Sequence, residues 1–326
     1  MKTLALLIKR EYWEHRGGFL WAPVWISAVM IILTMLGIVV AETFNRGVQI
    51  NMGVSLEQLR SSLGAHEIAQ AANALDLAQL SFAGMTSIGV FFVTFFYLLG
   101  ALYDDRRDRS VLFWKSLPVS DLATVASKAL TALILIPLIA LVVATLGYLV
   151  FALVVTTWVG VHGINALPAL LAAHPIGMFT QLAMIVAAGV LWALPAVGWL
   201  LFWSAWSRSK PFLWAVMLPV IVLVLDGWVG MLGAPQAGGV LNLAHILGRL
   251  LFSIMPAGWL SAPGLGLKLG GNVSLGLDDE HVLASLGSGH LPALLASADL
   301  WIGVLAGLLL LAAAVWLRGR RIETTT

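Results

Sequence analysis

The densest set of charged side chains in the sequence lies between Tyr103 and Asp121, YDDRRDRSVLFWKSLPVSD. Three Asp, three Arg and one Lys fall between Tyr103 and Lys115, wedged between two long apolar runs. Asp104, Asp105 and Asp108 alternate with Arg106, Arg107 and Arg109, so local charge nearly cancels. A block this polar is expected in water, where ion pairs contribute only about 0–1 kcal/mol each, too little to explain their density as a stability device. Val111, Leu112, Phe113, Trp114 and Leu117 then form an apolar patch. That combination suits a docking surface for a soluble partner. It equally suits an interfacial helix with Trp114 at the lipid headgroups.

Other candidate chemistry is sparse. No G-x-x-x-x-G-K-[ST] occurs; GLGLKLGG at 264–271 lacks the Lys-Ser/Thr ending, so the chain has no P-loop for a nucleotide. The seven His form no H-E-x-x-H and no i, i+4 pair, and there is no Cys, which argues against zinc and excludes disulfides. His162 and His174 share a loop and could meet, or could simply be solvated. No Ser sits in G-x-S-x-G, and no Ser/His or paired-Asp set is visible inside an apolar run. Asp226 is the one acidic residue well inside such a run, about 20 Å along its helix. It reads either as a polar group lining a substrate path or as a helix-end residue that reaches water beside Gly227. Gly303 and Gly307 make a G-x-x-x-G that can seat a close helix crossing, including self-association.

The elements that must position these residues are membrane helices. The chain of 326 residues is 60% hydrophobic and 10% charged, with a mean hydropathy of +0.96. Soluble domains carry about 25% charged residues, so this chain cannot clothe a water-facing surface. The net charge of +2 comes from basic residues at loop ends rather than one patch, so nucleic acid is not an expected partner. The expected fold is an all-α polytopic membrane protein, a single transmembrane domain over 1–326. Its six spans are expected at about 19–41, 80–102, 128–158, 176–203, 212–232 and 300–317. Val39-Val40-Ala41 resembles a signal-peptidase site, but the apolar core before it is too long for a signal peptide, so an uncleaved anchor is expected.

Around the spans, Leu4, Leu7, Ile8 and Tyr12 with Lys2, Lys9, Arg10 and Arg16 predict a basic N-terminal interfacial helix. Leu56, Leu59, Leu63, Ile68, Ala72 and Leu75 predict one or two amphipathic helices on the far side after span 1. Pro137, Pro195 and Pro219 each fall inside a span and predict kinks whose freed carbonyls neighbouring helices satisfy. Residues 241–260, LNLAHILGRLLFSIMPAGWL, are too polar for a span and too apolar for a free loop; a re-entrant or interfacial segment is expected. With six spans, one side collects fourteen of the eighteen Lys and Arg, leaving Arg46, Arg60, Arg249 and Lys268 opposite. Both termini and the Tyr103–Asp121 loop are therefore expected in the cytoplasm.

At this point the sequence resembles the permease subunits of type-2 ABC exporters. Their loop between spans two and three reads like E-R-x-x-G-T-L-E-x-L-L-x-x-P-x-S followed by a Lys. Here Asp105-Arg106-Arg107-Asp108 matches the charged cluster, Ser110 to Trp114 the middle, Leu117-Pro118-Val119-Ser120 the ending, and Lys128 the trailing Lys. Arg109 stands where Gly is usual, and Trp114-Lys115 where Leu is. Lys9-Arg10-Glu11 in a basic first helix and Met255 to Leu260 before the last span extend the likeness.

The resemblance implies a permease of the bacterial cytoplasmic (inner) membrane that is not itself an enzyme. It would pair with a second permease subunit, a copy or a sibling, and with two cytosolic ABC ATPase subunits that bind ATP and Mg; membrane lipid would be its other partner. Asp105, Arg106, Arg107, Asp108, Phe113 and Trp114, with Arg10 and Glu11 on the first helix, would couple ATP hydrolysis to export. Two other readings are a related subunit that transmits force or a signal to a partner on the far side, and an intramembrane enzyme.

Overall fold

The computed structural model describes residues 2–43, 65–108, 119–232, 243–261 and 291–320. Among these residues all regular structure is helical. Helix α1 (Lys2–Arg16) leads through a π-turn (Gly17–Trp21) into α2 (Ala22–Thr43). Then come α3 (Ala65–Ala101), a short α4 (Tyr103–Arg107), α5 (Asp121–Leu130), a second π-turn (Thr131–Leu135) and α6 (Ile136–Val161). Helices α7 (Leu167–Ala172) and α8 (Pro175–Trp206) follow, then a third π-turn (Leu213–Met217) and α9 (Leu218–Met231). The last group is α10 (Leu243–Phe252), a 3-10 turn (Gly258–Ser261), α11 (Leu291–Ala296) and α12 (Ala298–Arg320).

Among the described residues, six helical stretches are long and apolar enough to cross a membrane: Thr3–Val40, His66–Arg107, Asp121–Val161, Leu167–Trp206, Leu213–Met231 and Ala298–Arg320. Their order matches the six expected spans, with different ends. Ile68, Ala72 and Leu75 do not form a separate amphipathic helix; they are the first turns of α3, which runs unbroken for 37 residues. Their spacing is helical, and no Gly or Pro separates them from the apolar run, so nothing ends the helix between. Leu56, Leu59 and Leu63 lie outside the described residues. The third span begins at Asp121, not near Lys128, because Ser120 caps it: its Oγ accepts the Ala123 N–H at 3.1 Å. Lys128 consequently lies two turns inside a helix.

The prolines explain the π-turns. Pro23, Pro137 and Pro219 each stand two residues after a π-turn ends, at Trp21, Leu135 and Met217. Proline has no N–H to donate, and its ring crowds the carbonyl four residues back. A widened turn relieves that crowding without ending the helix. Pro219 frees the carbonyl of Ala215, and the Trp199 indole of α8 donates to it at 3.1 Å. A neighbouring helix thus satisfies the freed group, as a membrane interior requires.

Helix α8 is the central strut, packed against α3, α10 and most extensively α12. The α8–α12 crossing is close because both backbones offer glycine. A Cβ added at Gly307 would lie 2.5 Å from the Leu194 carbonyl carbon, and one at Gly198 would lie 2.6 Å from the Gly307 carbonyl oxygen. The Gly303–Gly307 motif is therefore spent inside the chain, on α8 and on Arg249, rather than left for self-association.

Residues 243–261 pack along α8 and hold there by polar anchors. Trp259 has no exposed surface, and its indole N–H donates to the Ile185 carbonyl at 3.0 Å. The guanidinium of Arg249 lies over the Trp192 ring at 3.7 Å. It pairs with Asp299 Oδ1 at 2.9 Å and also donates to the Asp299 carbonyl. His245 Nε2 lies 3.5 Å from the other carboxylate oxygen. Asp299 and Arg318 stand nineteen residues apart on α12, about 28 Å along the axis. The two charged clusters they anchor are separated by about the 30 Å thickness of a bilayer's hydrocarbon core.

Candidate functional site at the charged end of the bundle

Helix α1 keeps one stripe inside: Leu7 and, one turn on, Glu11 are buried, while Leu6 and Trp13 face outward. At His15 the helix kinks, with φ −113° and ψ 16°. The His15, Phe19 and Tyr97 rings fill the bend, each centroid 5.0–5.6 Å from the next. The kink sets α1 against α5 and brings Glu11 to the start of the third span.

There Glu11 meets a chain of ion pairs. Lys128 Nζ lies 3.1 Å from Glu11 Oε1 and 3.5 Å from Asp105 Oδ2. Arg318 Nη1 lies 3.3 Å from the same Asp105 oxygen, and Arg318 Nε 3.1 Å from Asp121 Oδ1. The Tyr97 hydroxyl donates to Glu11 Oε2 at 2.9 Å. Glu11, Lys128, Asp105 and Arg318 are all buried. Among the described residues, three carboxylates thus share two cations, drawn from α1, α4, α5 and α12. Desolvating such groups is costly, and attraction repays it only while every partner stays in place. The cluster therefore fixes geometry more than it adds stability.

Arg106 ties the same short helix to a further element. Its Nη2 donates to the carbonyl of Ser204 in α8 at 2.6 Å and to that of Ser207, just past the helix end, at 2.9 Å. Ser204 Oγ accepts the Leu102 and Tyr103 N–H groups, both at 3.0 Å, and donates to the Leu99 carbonyl at 2.7 Å. One hydroxyl therefore satisfies the backbone where α3 breaks into α4, the place where helix-end groups lack partners.

The eight expected site residues near this end separate into three groups. Glu11, Asp105 and Arg106 point into the bundle, which corrects the expectation that the whole charged block lies in water. The register of one five-residue helix turns the adjacent pair Asp105 and Arg106 inward and leaves the charges on either side of it outside. Arg107 and Asp108 face out: Arg107 is exposed and pairs with Asp104 at 3.3 Å and with Asp108 at 3.1 Å. Arg10 pairs with Glu14 on the outer side of α1 at 3.2 Å. Phe113 and Trp114 lie outside the described residues.

Asp226 is separate from all of these, half-buried on α9. Tyr97, Asp121, Ser204 and Arg318 join the site without having been singled out in the sequence. The available signal was positional: Arg318 follows an apolar run directly, and Lys128 opens one.

No known protein family, no curated protein and no solved structure matches this chain.

Proposed function

We propose that the chain is the membrane-spanning half of an ABC-type exporter, driven by separate cytosolic ATPases through the Tyr103–Asp121 segment. The observation that carries this reading is the double attachment of α4. Adjacent residues Asp105 and Arg106 bind α5, α12 and α8, while Arg107 and Asp108 beside them face outward. A partner gripping the outward side would pull on three membrane helices at once, which is the mechanical requirement for coupling. Energy would enter as a difference in partner contacts between two states of the bundle.

On this reading both termini and the loop face the cytoplasm of a bacterium, α1 lies along the headgroups, and two permease chains form the pathway. The test is co-expression with the P-loop ATPase encoded nearest to the gene. A complex that survives detergent and hydrolyses ATP is the expected result. Arg107→Ala and Trp114→Ala should weaken co-purification or ATP-coupled activity while leaving membrane insertion intact. A chain that never retains an ATPase, with Trp114→Ala behaving as wild type, would overturn the proposal.

A further inference from the structure

Between the π-turn at Gly17–Trp21 and α3, a cleft of about 510 Å³ opens at the charged end. Phe19, Val93 and Phe96 form its apolar walls. Its polar groups include Glu14, Asp104 and Asp105 against the single ammonium of Lys128, three negative charges facing one positive. Behind this lining Glu11 offsets Lys128 at 3.1 Å and Arg318 offsets Asp105 at 3.3 Å, so the excess negative charge lies on Glu14 and Asp104 at the rim. The cleft is therefore electronegative.

It also opens in two directions. Phe96 is 57% exposed on the apolar flank of the bundle, whereas the Glu14 and Asp104 side chains are about half exposed at the polar rim. Each rim carboxylate holds an arginine through a solvent-exposed ion pair, a weak attachment that leaves it able to take a second cation. A ligand that fits must present an ammonium to the rim and hydrocarbon to the flank. Carboxylates need N–H donors for strong bonds, which a primary ammonium has and a trimethylammonium lacks. A net anionic headgroup would meet like charge.

We propose that this cleft binds an aminophospholipid, its primary ammonium between Glu14 and Asp104 and its acyl chains along Val93 and Phe96. The proposal rests on the membrane-spanning bundle alone and survives failure of the ATPase reading.

The test is native mass spectrometry of the purified full chain, offered phosphatidylethanolamine, phosphatidylcholine and phosphatidylglycerol of equal chain length. Phosphatidylethanolamine should be retained about tenfold better than either competitor. Glu14→Gln with Asp104→Asn should erase that preference. Gly17→Leu should abolish it too, because a Cβ there meets nothing within 4 Å and the side chain would enter the cleft, whereas Gly37→Leu, equally open, should not. Equal retention of the three lipids, survival of the preference in Gly17→Leu, or equal competition by soluble glycerophosphoethanolamine would each overturn it.

A second measurement does not depend on any variant folding. A photoactivatable phosphatidylethanolamine should cross-link the wild-type chain between Val93 and Gly100 and be displaced by unlabelled phosphatidylethanolamine but not phosphatidylglycerol. Cross-links confined to other helices would overturn the assignment.

Discussion

Lys128 Nζ sits 3.1 Å from Glu11 Oε1 across 117 residues of sequence, and neither side chain retains more than 2% of its surface. The pair locks the first helix to the third span, and Asp105 joins it from the loop end of the second. Among the described residues, removing the ammonium would leave Glu11 buried with the Tyr97 hydroxyl alone on its side chain, and would take from Asp105 one of the cations that pair with it. Lys128→Met should therefore lower stability by about 3–5 kcal/mol, the cost of stranding a buried charge. Glu11→Gln combined with Lys128→Met should recover part of that loss. Urea unfolding in micelles measures both; a Lys128→Met protein as stable as wild type would refute the cluster's role.

Ser204 tests a different kind of join. Its hydroxyl is buried and serves two N–H groups and one carbonyl at the α3–α4 break. Ser204→Ala leaves two backbone donors without this acceptor, a loss of about 1–3 kcal/mol. Limited proteolysis should show it first, as faster cleavage after Arg106 and Arg107. An unchanged cleavage rate would mean the break is held by Arg106 alone.

At the α8–α12 crossing, glycine identity should decide the sign of an alanine substitution. Gly307→Ala forces a methyl group against the Leu194 backbone and should cost about 1–3 kcal/mol by overpacking. Gly84→Ala places the same methyl in open space in the middle of α3. There the lower backbone entropy of alanine should leave stability unchanged or raise it by about 0.5–1 kcal/mol. Thermal unfolding of the two variants side by side is the measurement, and equal shifts would refute the close crossing.

These cases show what could be read from the sequence. Six spans were legible because hydrocarbon thickness sets a length and composition any reader can count, and the prolines foreshadowed the π-turns before Pro137 and Pro219, whereas Pro195 lies inside the continuous α8 with no π-turn and the turn before Pro23 was not expected. The inward turn of Asp105 and Arg106 was not legible. In a run of alternating charges, only the register of one short helix decides which side chains face inside, and neighbouring residues do not announce it. The Glu11–Lys128 pair was hidden for another reason: its partners meet only after the helices pack. The sequence placed Lys128 at the edge of its span, where a charge can reach water, and only the helix start at Asp121 puts it two turns inside. Gly303 and Gly307 were legible as a crossing but not as one within the chain, because the motif does not specify its partner.

Arg249 carries a prediction that separates charge from shape. Its guanidinium lies 3.7 Å over the Trp192 ring while pairing with Asp299 at the far end of α12. A lysine keeps the charge but loses the flat face and the fork. Arg249→Lys should weaken the attachment of α10 to α8 by about 1–2 kcal/mol, read as faster amide exchange across 243–252 than in the wild type. Exchange unchanged there would mean that Trp259 and the close approach of Gly189 on α8 to the Pro256 carbonyl, 2.9 Å from a Cβ placed on that glycine, suffice to hold the segment.

The chain has no cysteine, so single introduced thiols report sidedness against a clean background. Asp108 and Val161 are both well exposed, at 62% and 79%, and stand at opposite ends of the bundle. The basic residues gathered at the Asp108 end predict that it faces the cytoplasm. Asp108→Cys should react with a membrane-impermeant maleimide only in inverted vesicles, and Val161→Cys only in intact cells or spheroplasts. Reaction of both from one side would refute the six-span topology, because an odd number of crossings separates these positions. Reaction of each from the side opposite to that expected would leave the topology standing and reverse its orientation. A reversed orientation would place the α4 segment out of reach of any cytosolic ATPase, so this labelling also decides whether the proposed coupling is geometrically open.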